Sequence, residues 1–283
     1  MQNQTHYWVD RIDPVMVHLS GDFGIRYYGF SYLLAFVIGW LLLRAYYRAG
    51  KSPLSPPQIG QAIFALILGV MVGGRLGYML LYDWSGLIHA PWTLFQIWDG
   101  GMSSHGGFIG VALALVWISR NFDVPFLKLG DLLVSITPPG LLLGRVANFI
   151  NGELWGRMST VPWAVIFPKS AVPGTPLNLI PPRHPSQIYE ALLEGVTLLV
   201  YTQWRFWRTP VLQTPGRLSG EFLVYYAAVR IVGEQFRQPD ASLIMGMSRG
   251  IFYSIFVLVT GGLLVVFVNR RKDRKGAEHS KTL

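Results

Sequence analysis

The stretch that decides the fold is DLLVSITPPGLLLGRVANFI, residues 131–150, followed at once by NGELWG, residues 151–156. At 1.5 Å per residue, ~20 helical residues cross the ~30 Å hydrocarbon layer of a bilayer. This run is apolar enough to do so, yet it holds Arg145 near its end and Pro138-Pro139-Gly140 near its middle. The prolines predict a kink or local unwinding. A membrane tolerates that where neighbouring helices satisfy the freed backbone groups. A permanent cation inside such a run, trailed by Asn148, Asn151 and Glu153, reads as a site.

The whole chain fits this reading. Of its 283 residues 51% are hydrophobic and 14% charged, with a mean hydropathy of +0.36. Soluble domains carry about 25% charged residues, so a membrane protein is the expected class. The formal charge of +9 lies largely in short loops and in the tail NRRKDRKGAEHSK, 269–281. No basic stripe interleaved with aromatics is present, so nucleic acid is not an expected partner. The chain has no cysteine, which excludes disulfides, thiolate metal sites and a cysteine nucleophile. The N-terminus lacks the basic start and apolar core of a cleaved signal peptide.

Seven segments qualify as spans: about 25–43, 58–82, 103–119, 131–150, 186–204, 219–237 and 249–268. The expected fold is all-α, a single polytopic membrane domain over residues 1–283. Fourteen Lys and Arg fall on one side of these spans and six on the other. That bias predicts an outside N-terminus and a cytoplasmic C-terminus. Proline-rich residues 151–185 read as a small outward-facing cap, and 269–283 as a basic cytoplasmic tail.

Polar residues converge on one depth. Arg75, Arg145 and Arg230 each lie ~5–7 residues inside the outer ends of their spans, roughly 8–10 Å down. Tyr28, His105, Glu190 and Glu194 open their spans near the same level. Arg230, Glu234 and Arg237 share one helix face, so Glu234 is placed to bridge two cations. Set against the glutamates, the arginines predict a surplus of guanidinium. Its planar fork suits phosphate, which phospholipid headgroups present at about that depth.

Plainer readings stand beside each of these. Arg145 as a snorkelling side chain, Arg230–Glu234 as a structural ion pair, Arg75 as a packing residue among glycines and Glu190 as a cap on span five are the alternatives. His105 lies in WDGGMSSHGGFIG, residues 98–110, where flanking glycines clear space around the ring; it is the one histidine inside an expected span and the candidate titrating group. GMSRG, residues 246–250, matches a nucleophile-elbow pattern but lacks the strand before it, so Ser248 reads as a helix cap. No HExxH or comparable spacing occurs, and no metal is expected.

GRVANFINGELWG, residues 144–156, resembles the signature of the prolipoprotein diacylglyceryl transferase family, G-R-x-G/A-N-F, an apolar residue, then N-x-E-x-x-G, at every specified position. GGRLGYMLLY, WDGGMSSHGGFIG, PRHPSQIYEALLEG and RIVGEQFRQPDA resemble the family in its order, over about residues 25–268. The resemblance implies a seven-helix enzyme that moves the diacylglyceryl group of phosphatidylglycerol onto the lipobox cysteine thiol of a prolipoprotein signal peptide. The products are a thioether and glycerol phosphate. It implies membrane lipid as surroundings and no cofactor. The family's functional positions fall on Tyr28, His105, Arg145 and Arg230 as catalytic residues, and on Asn148, Asn151, Glu153, Gly156 and Glu234 beside them. Arg75 joins the expected headgroup ligands by its place in the arginine layer.

Two other classes are weighed. An anion transporter usually shows inverted repeats and a midplane site, whereas these seven spans are unlike and the polar layer lies outward. An intramembrane serine protease built on Ser103 or Ser104 needs a histidine on another helix, and only His184 comes close.

Overall fold

The structure, a computed structural model, describes residues 7–20, 23–96 and 100–281. It is mostly helical, and its contacts group the chain into two units, residues 40–132 and residues 1–39 with 133–283. Each is described by itself.

In the first unit, α2 (Pro56–Tyr82) opens on Ser55 and two prolines, whose missing N–H groups are harmless in a first turn. A short α3 (Trp84–His89) and a 3-10 turn (Pro91–Phe95) follow, then α4 (Ser104–Phe122). α2 and α4 pack along a seam of Gly69, Gly73 and Gly77 against Gly106 and Gly110. A Cβ on Gly110 would stand 1.8 Å from the Gly69 carbonyl oxygen, and one on Gly106 would stand 2.1 Å from that of Gly73. The backbones touch, as small residues allow where lipid offers no hydrophobic drive to associate. Gly106 therefore serves helix packing, a different job from clearing space around the His105 ring. A Cβ on Gly107 would meet the Val70 carbonyl oxygen no closer than 4.0 Å.

In the second unit, α1 (Tyr27–Arg48) begins, and α5 (Phe126–Ile136) and α6 (Pro138–Ile150) meet at Thr137 with a bend of 41°, as the prolines predict. α7 (Ser186–Glu190) runs through a π-helical turn (Ala191–Thr197) into α8 (Leu198–Arg208). α9 (Arg217–Glu234) packs on α10 (Arg249–Lys281), with Gly220 and Gly261 at the contact. The basic tail continues α10 as helix to Lys281.

Between α6 and α7 the chain is irregular. A strand at Val165–Ile166 (β4) pairs in parallel with Trp8–Val9 (β1), and Val15–Ser20 (β2) forms a hairpin with Phe23–Arg26 (β3). The all-helical expectation misses both small sheets. β1, β2 and β4 lie outside the apolar runs on which it rested, and β3 takes Ile25 and Arg26 from the start of the first expected span. Trp8 stacks on Phe149 at 5.6 Å, tying β1 to the end of α6.

Among the described residues three helices, Tyr27–Arg48, Pro56–Tyr82 and Arg249–Arg274, are long and apolar enough to cross a membrane; the bent pair α5–α6, taken as one span, makes a fourth. The other three expected spans are helical as well, at Ser104–Phe122, through 186–208, and at Arg217–Glu234. α9 carries Arg217, Glu221, Arg230 and Glu234, which lowers its apolarity.

Replacing Gly110 by valine is expected to destabilise the α2–α4 seam by at least ~1–3 kcal/mol, because the new side chain must push two backbones apart. Gly60→Ala, where nothing stands within 4 Å, is the control expected to be neutral or to stabilise by up to ~1 kcal/mol through helix propensity. Thermal unfolding of the two variants in detergent measures the difference.

Candidate functional site

The signature segment folds into a tight loop after α6. Gly152 and Leu154 take left-handed φ values of +59° and +57°. Glu153 Oε1 accepts from Asn148 Nδ2 at 2.8 Å and from Asn151 Nδ2 at 3.3 Å. Gln187 Nε2 donates to the Glu153 carbonyl at 2.7 Å, and Ser186 Oγ to that of Leu154 at 3.1 Å. The loop is thus fastened to the start of α7. Gly156 N donates to His184 O at 3.0 Å, and the next amide, Arg157 N, to Phe236 O at 2.9 Å. A Cβ on Gly156 would lie 2.4 Å from the first carbonyl oxygen and 2.7 Å from the second. No side chain fits where these strands of backbone pinch together.

Beside this loop α6, the α7 stretch and α9 meet in an ionic cluster. Gly195 makes the approach possible, since its Cβ would sit 2.6 Å from Leu142 Cβ, one turn before Arg145. Arg145 donates through Nε and Nη2 to Glu194 Oε2, at 3.1 and 2.9 Å. Its Nη1 ion-pairs with Glu190 Oε2 at 2.8 Å, a close contact without hydrogen-bond alignment. Arg230 Nη1 donates to Glu190 Oε1 at 2.8 Å and to Glu194 Oε1 at 3.0 Å, and its Nη2 to Glu234 Oε1 at 2.5 Å.

Arg237 lies 3.5 Å from Glu190 Oε1 and 3.9 Å from Glu234 Oε1, and donates to Asp240 at 2.8 Å. Glu234 bridges two cations, as its spacing predicts. Gly250 leaves room for its carboxyl, which accepts from Ser248 Oγ at 2.7 Å. Ser248 Oγ also accepts from the Ile251 amide at 3.2 Å, so it caps α10.

Glu190 and Glu194 are fully buried, and Glu234 and Arg237 nearly so. Burying ions without partners costs several kcal/mol each, and pairing offsets that only with good geometry. Here three guanidiniums face three buried carboxylates, Asp240 adding a fourth at the exposed edge. The expected guanidinium surplus is absent from this cluster: the glutamates that were to be too few all meet the arginines.

The remaining expected site residues fall elsewhere. Tyr28 is the second residue of α1, in the same unit, and its ring lies 5.4 Å from that of Tyr32. Arg75 and His105 belong to the other unit. Arg75 is buried and donates to the carbonyls of Gly100, Gly101 and Thr93, fastening the loop before α4. His105 is exposed in the first turn of α4. Trp98 and Asp99 of the motif around it lie outside the described residues.

Glu190, for which a cap on span five was the plainer reading, and Glu194 are the anchors of the cluster. The signal was in their spacing: like charges four residues apart on a helix repel unless cations lie between them. At the junction with the loop, burial holds the His184 imidazole below its ordinary pKa. The ring lies 5.4 Å from that of Phe236, edge-on. Among the described residues no group of His, Asp and Glu is arranged to hold a metal ion.

Helices long and apolar enough to span a bilayer, and an ionic lattice buried where α6, the α7 stretch and α9 meet, define a helical membrane protein with a polar site in its second unit. The family model described as prolipoprotein diacylglyceryl transferase matches residues 14–267, and the chain belongs to that family. It is 41% identical over 268 residues to a protein of Bradyrhizobium diazoefficiens, covering 91% of this chain and 92% of that one. It is 43% identical over 269 residues to one of Rhodopseudomonas palustris, covering 92% and 91%. With one of Coxiella burnetii the identity is 42% over 267 residues, covering 93% and 98%. Each of the three is named phosphatidylglycerol–prolipoprotein diacylglyceryl transferase.

Gly156→Ala is expected to lose most activity and at least ~1–3 kcal/mol of stability, because the added methyl meets two carbonyls that cannot both move. Turnover and thermal unfolding of the purified variant report the two losses.

Proposed function

We infer that this chain transfers the diacylglyceryl group of phosphatidylglycerol to the cysteine thiol of a prolipoprotein. The family and the relatives' names support this, and they support phosphatidylglycerol and prolipoprotein as its substrates. The single observation that carries the site assignment is the buried lattice in which Arg145 and Arg230 are fixed by shared carboxylates.

The chemistry sets two requirements. The thiolate is the nucleophile, so the cysteine must lose its proton. Its sulfur then forms a bond to the glycerol carbon as the carbon–oxygen bond to phosphate breaks, and the electron pair stays on the phosphate oxygen. No acyl-enzyme is needed. This chain has no cysteine, so the sulfur comes from the other substrate. Positioned guanidiniums in a water-poor site stabilise the charge gathered by the leaving phosphate. We assign Arg145 and Arg230 to the headgroup phosphate and His105 to the thiol proton, with Tyr28 in the catalytic set. Asn148, Asn151, Glu153 and Gly156 shape the substrate pocket through the loop they build, and Glu234 holds Arg230. Arg75, expected among the headgroup ligands, we reassign to the loop carbonyls it meets.

We further propose a single seven-span domain in a bacterial inner membrane, N-terminus outside and C-terminus inside. Residues 151–185 cap its outer face, where a lipobox peptide arrives. The helical state of all seven segments and the asymmetry of Lys and Arg support this.

Reconstitution with phosphatidylglycerol and a lipobox peptide, with the thioether product read by mass spectrometry, tests the reading. Arg145→Ala is expected to lower turnover per folded molecule by ~10²-fold or more, the folded fraction being measured alongside because Glu190 and Glu194 lose a buried partner; normal turnover removes the mechanism. His105→Gln is expected to lose at least ~10²-fold; full activity with glutamine leaves that histidine a packing role.

A further inference from the structure

Glu190 and Glu194 do more than neutralise. Each is fully buried, and each divides its two oxygens between the same two guanidiniums. Glu190 gives Oε2 to Arg145 and Oε1 to Arg230, both at 2.8 Å. Glu194 gives Oε2 to Arg145 at 2.9 Å and Oε1 to Arg230 at 3.0 Å. The four side chains close a ring of alternating charge. A carboxylate is planar and rigid, so two of them bridging the same pair fix the separation and tilt of the guanidiniums. The four are electroneutral by themselves and Glu234 adds a further carboxylate on Arg230, so a singly charged phosphodiester is attracted only through oriented N–H groups.

We propose that Glu190 and Glu194 are positioning residues for the transfer. They space Arg145 and Arg230 to fit the phosphate as its leaving oxygen gains charge, and they hold back the guanidinium charge that would otherwise tighten binding of the resting lipid. Only interactions stronger in the transition state than in the ground state accelerate chemistry, and a fixed spacing matched to the phosphate as it gains charge is one of them. This rests on the assignment of Arg145 and Arg230 to the headgroup.

A buried ionic ring is weak evidence of stabilisation, since apolar residues of similar volume often do as well or better. Positioning gives its presence a reason that stability does not.

The test is a split of KM from kcat on the full chain in proteoliposomes of stated phosphatidylglycerol content, with a lipobox peptide. Glu194→Gln removes one negative charge and leaves the ring cationic. KM for phosphatidylglycerol is expected to fall by ~3–10-fold while kcat falls by ~10²-fold. Glu190→Gln is expected to act in the same direction. Glu194→Asp keeps the charge but shortens the reach by one methylene: KM should stay within ~2-fold and kcat fall by ~10-fold. The folded fraction is measured alongside by thermal unfolding.

An unchanged KM in both glutamine variants, with kcat falling only as the folded fraction falls, would overturn the proposal. Full kcat in Glu194→Asp overturns the spacing argument by itself, and it decides the matter should the glutamine variants not fold. If Arg145→Ala and Arg230→Ala both leave KM and kcat intact, the headgroup assignment fails and takes this inference with it. If the arginine variants are inactive and the glutamate variants normal, only this inference falls.

Discussion

Charge without water is the constraint around which this unit is arranged. Arg145 and Arg230 stand among apolar helices, where an unpaired ion costs ~3 kcal/mol or more. They cannot shed their charge, because a guanidinium does not deprotonate in proteins. The chain answers with Glu190, Glu194 and Glu234, drawn from two helices, so that each carboxylate serves at least one cation. Because the pairing crosses helices, it also sets where α6, the α7 stretch and α9 lie within their unit.

Much of the nearby sequence serves that approach. Gly195 lets α6 come close, Gly250 gives the Glu234 carboxyl its space, and Ser248 both starts α10 and steadies that carboxyl. The loop after α6 adds a second polar set in which two asparagines share one glutamate oxygen. Its last glycine is pinned between the backbones at His184 and Phe236. The signature is thus mostly architecture: one arginine for the lattice, and a loop whose residues hold one another and the start of α7.

What could be read beforehand was whatever repeats locally. Apolar runs gave the helices, Pro138-Pro139 the bend at Thr137, and the spacing of Arg230, Glu234 and Arg237 their shared carboxylate. Pairings between distant segments were not legible: Arg145 and Glu194 are 49 residues apart, Arg230 and Glu190 40. With only a count of charges to go on, the arginines looked like an excess. The glycines around His105 invited a local explanation, but the neighbour that matters to Gly106 is Gly73, far back on another helix. The motif match named the family; which side chains touch came from the structure.

The seven-residue π-helical turn at Ala191–Thr197 follows directly on Glu190 and contains Glu194. Such a turn accommodates an extra residue in a helix, and its looser hydrogen bonding persists only where the surroundings favour it. Here the surroundings are two guanidiniums reached from other helices. Dropping one residue from this turn would restore an ordinary helix but swing everything beyond it by about 100°. The length of this segment is therefore more tightly constrained than its apolar composition: exchanging an apolar residue keeps the helix in phase, and gaining or losing one does not.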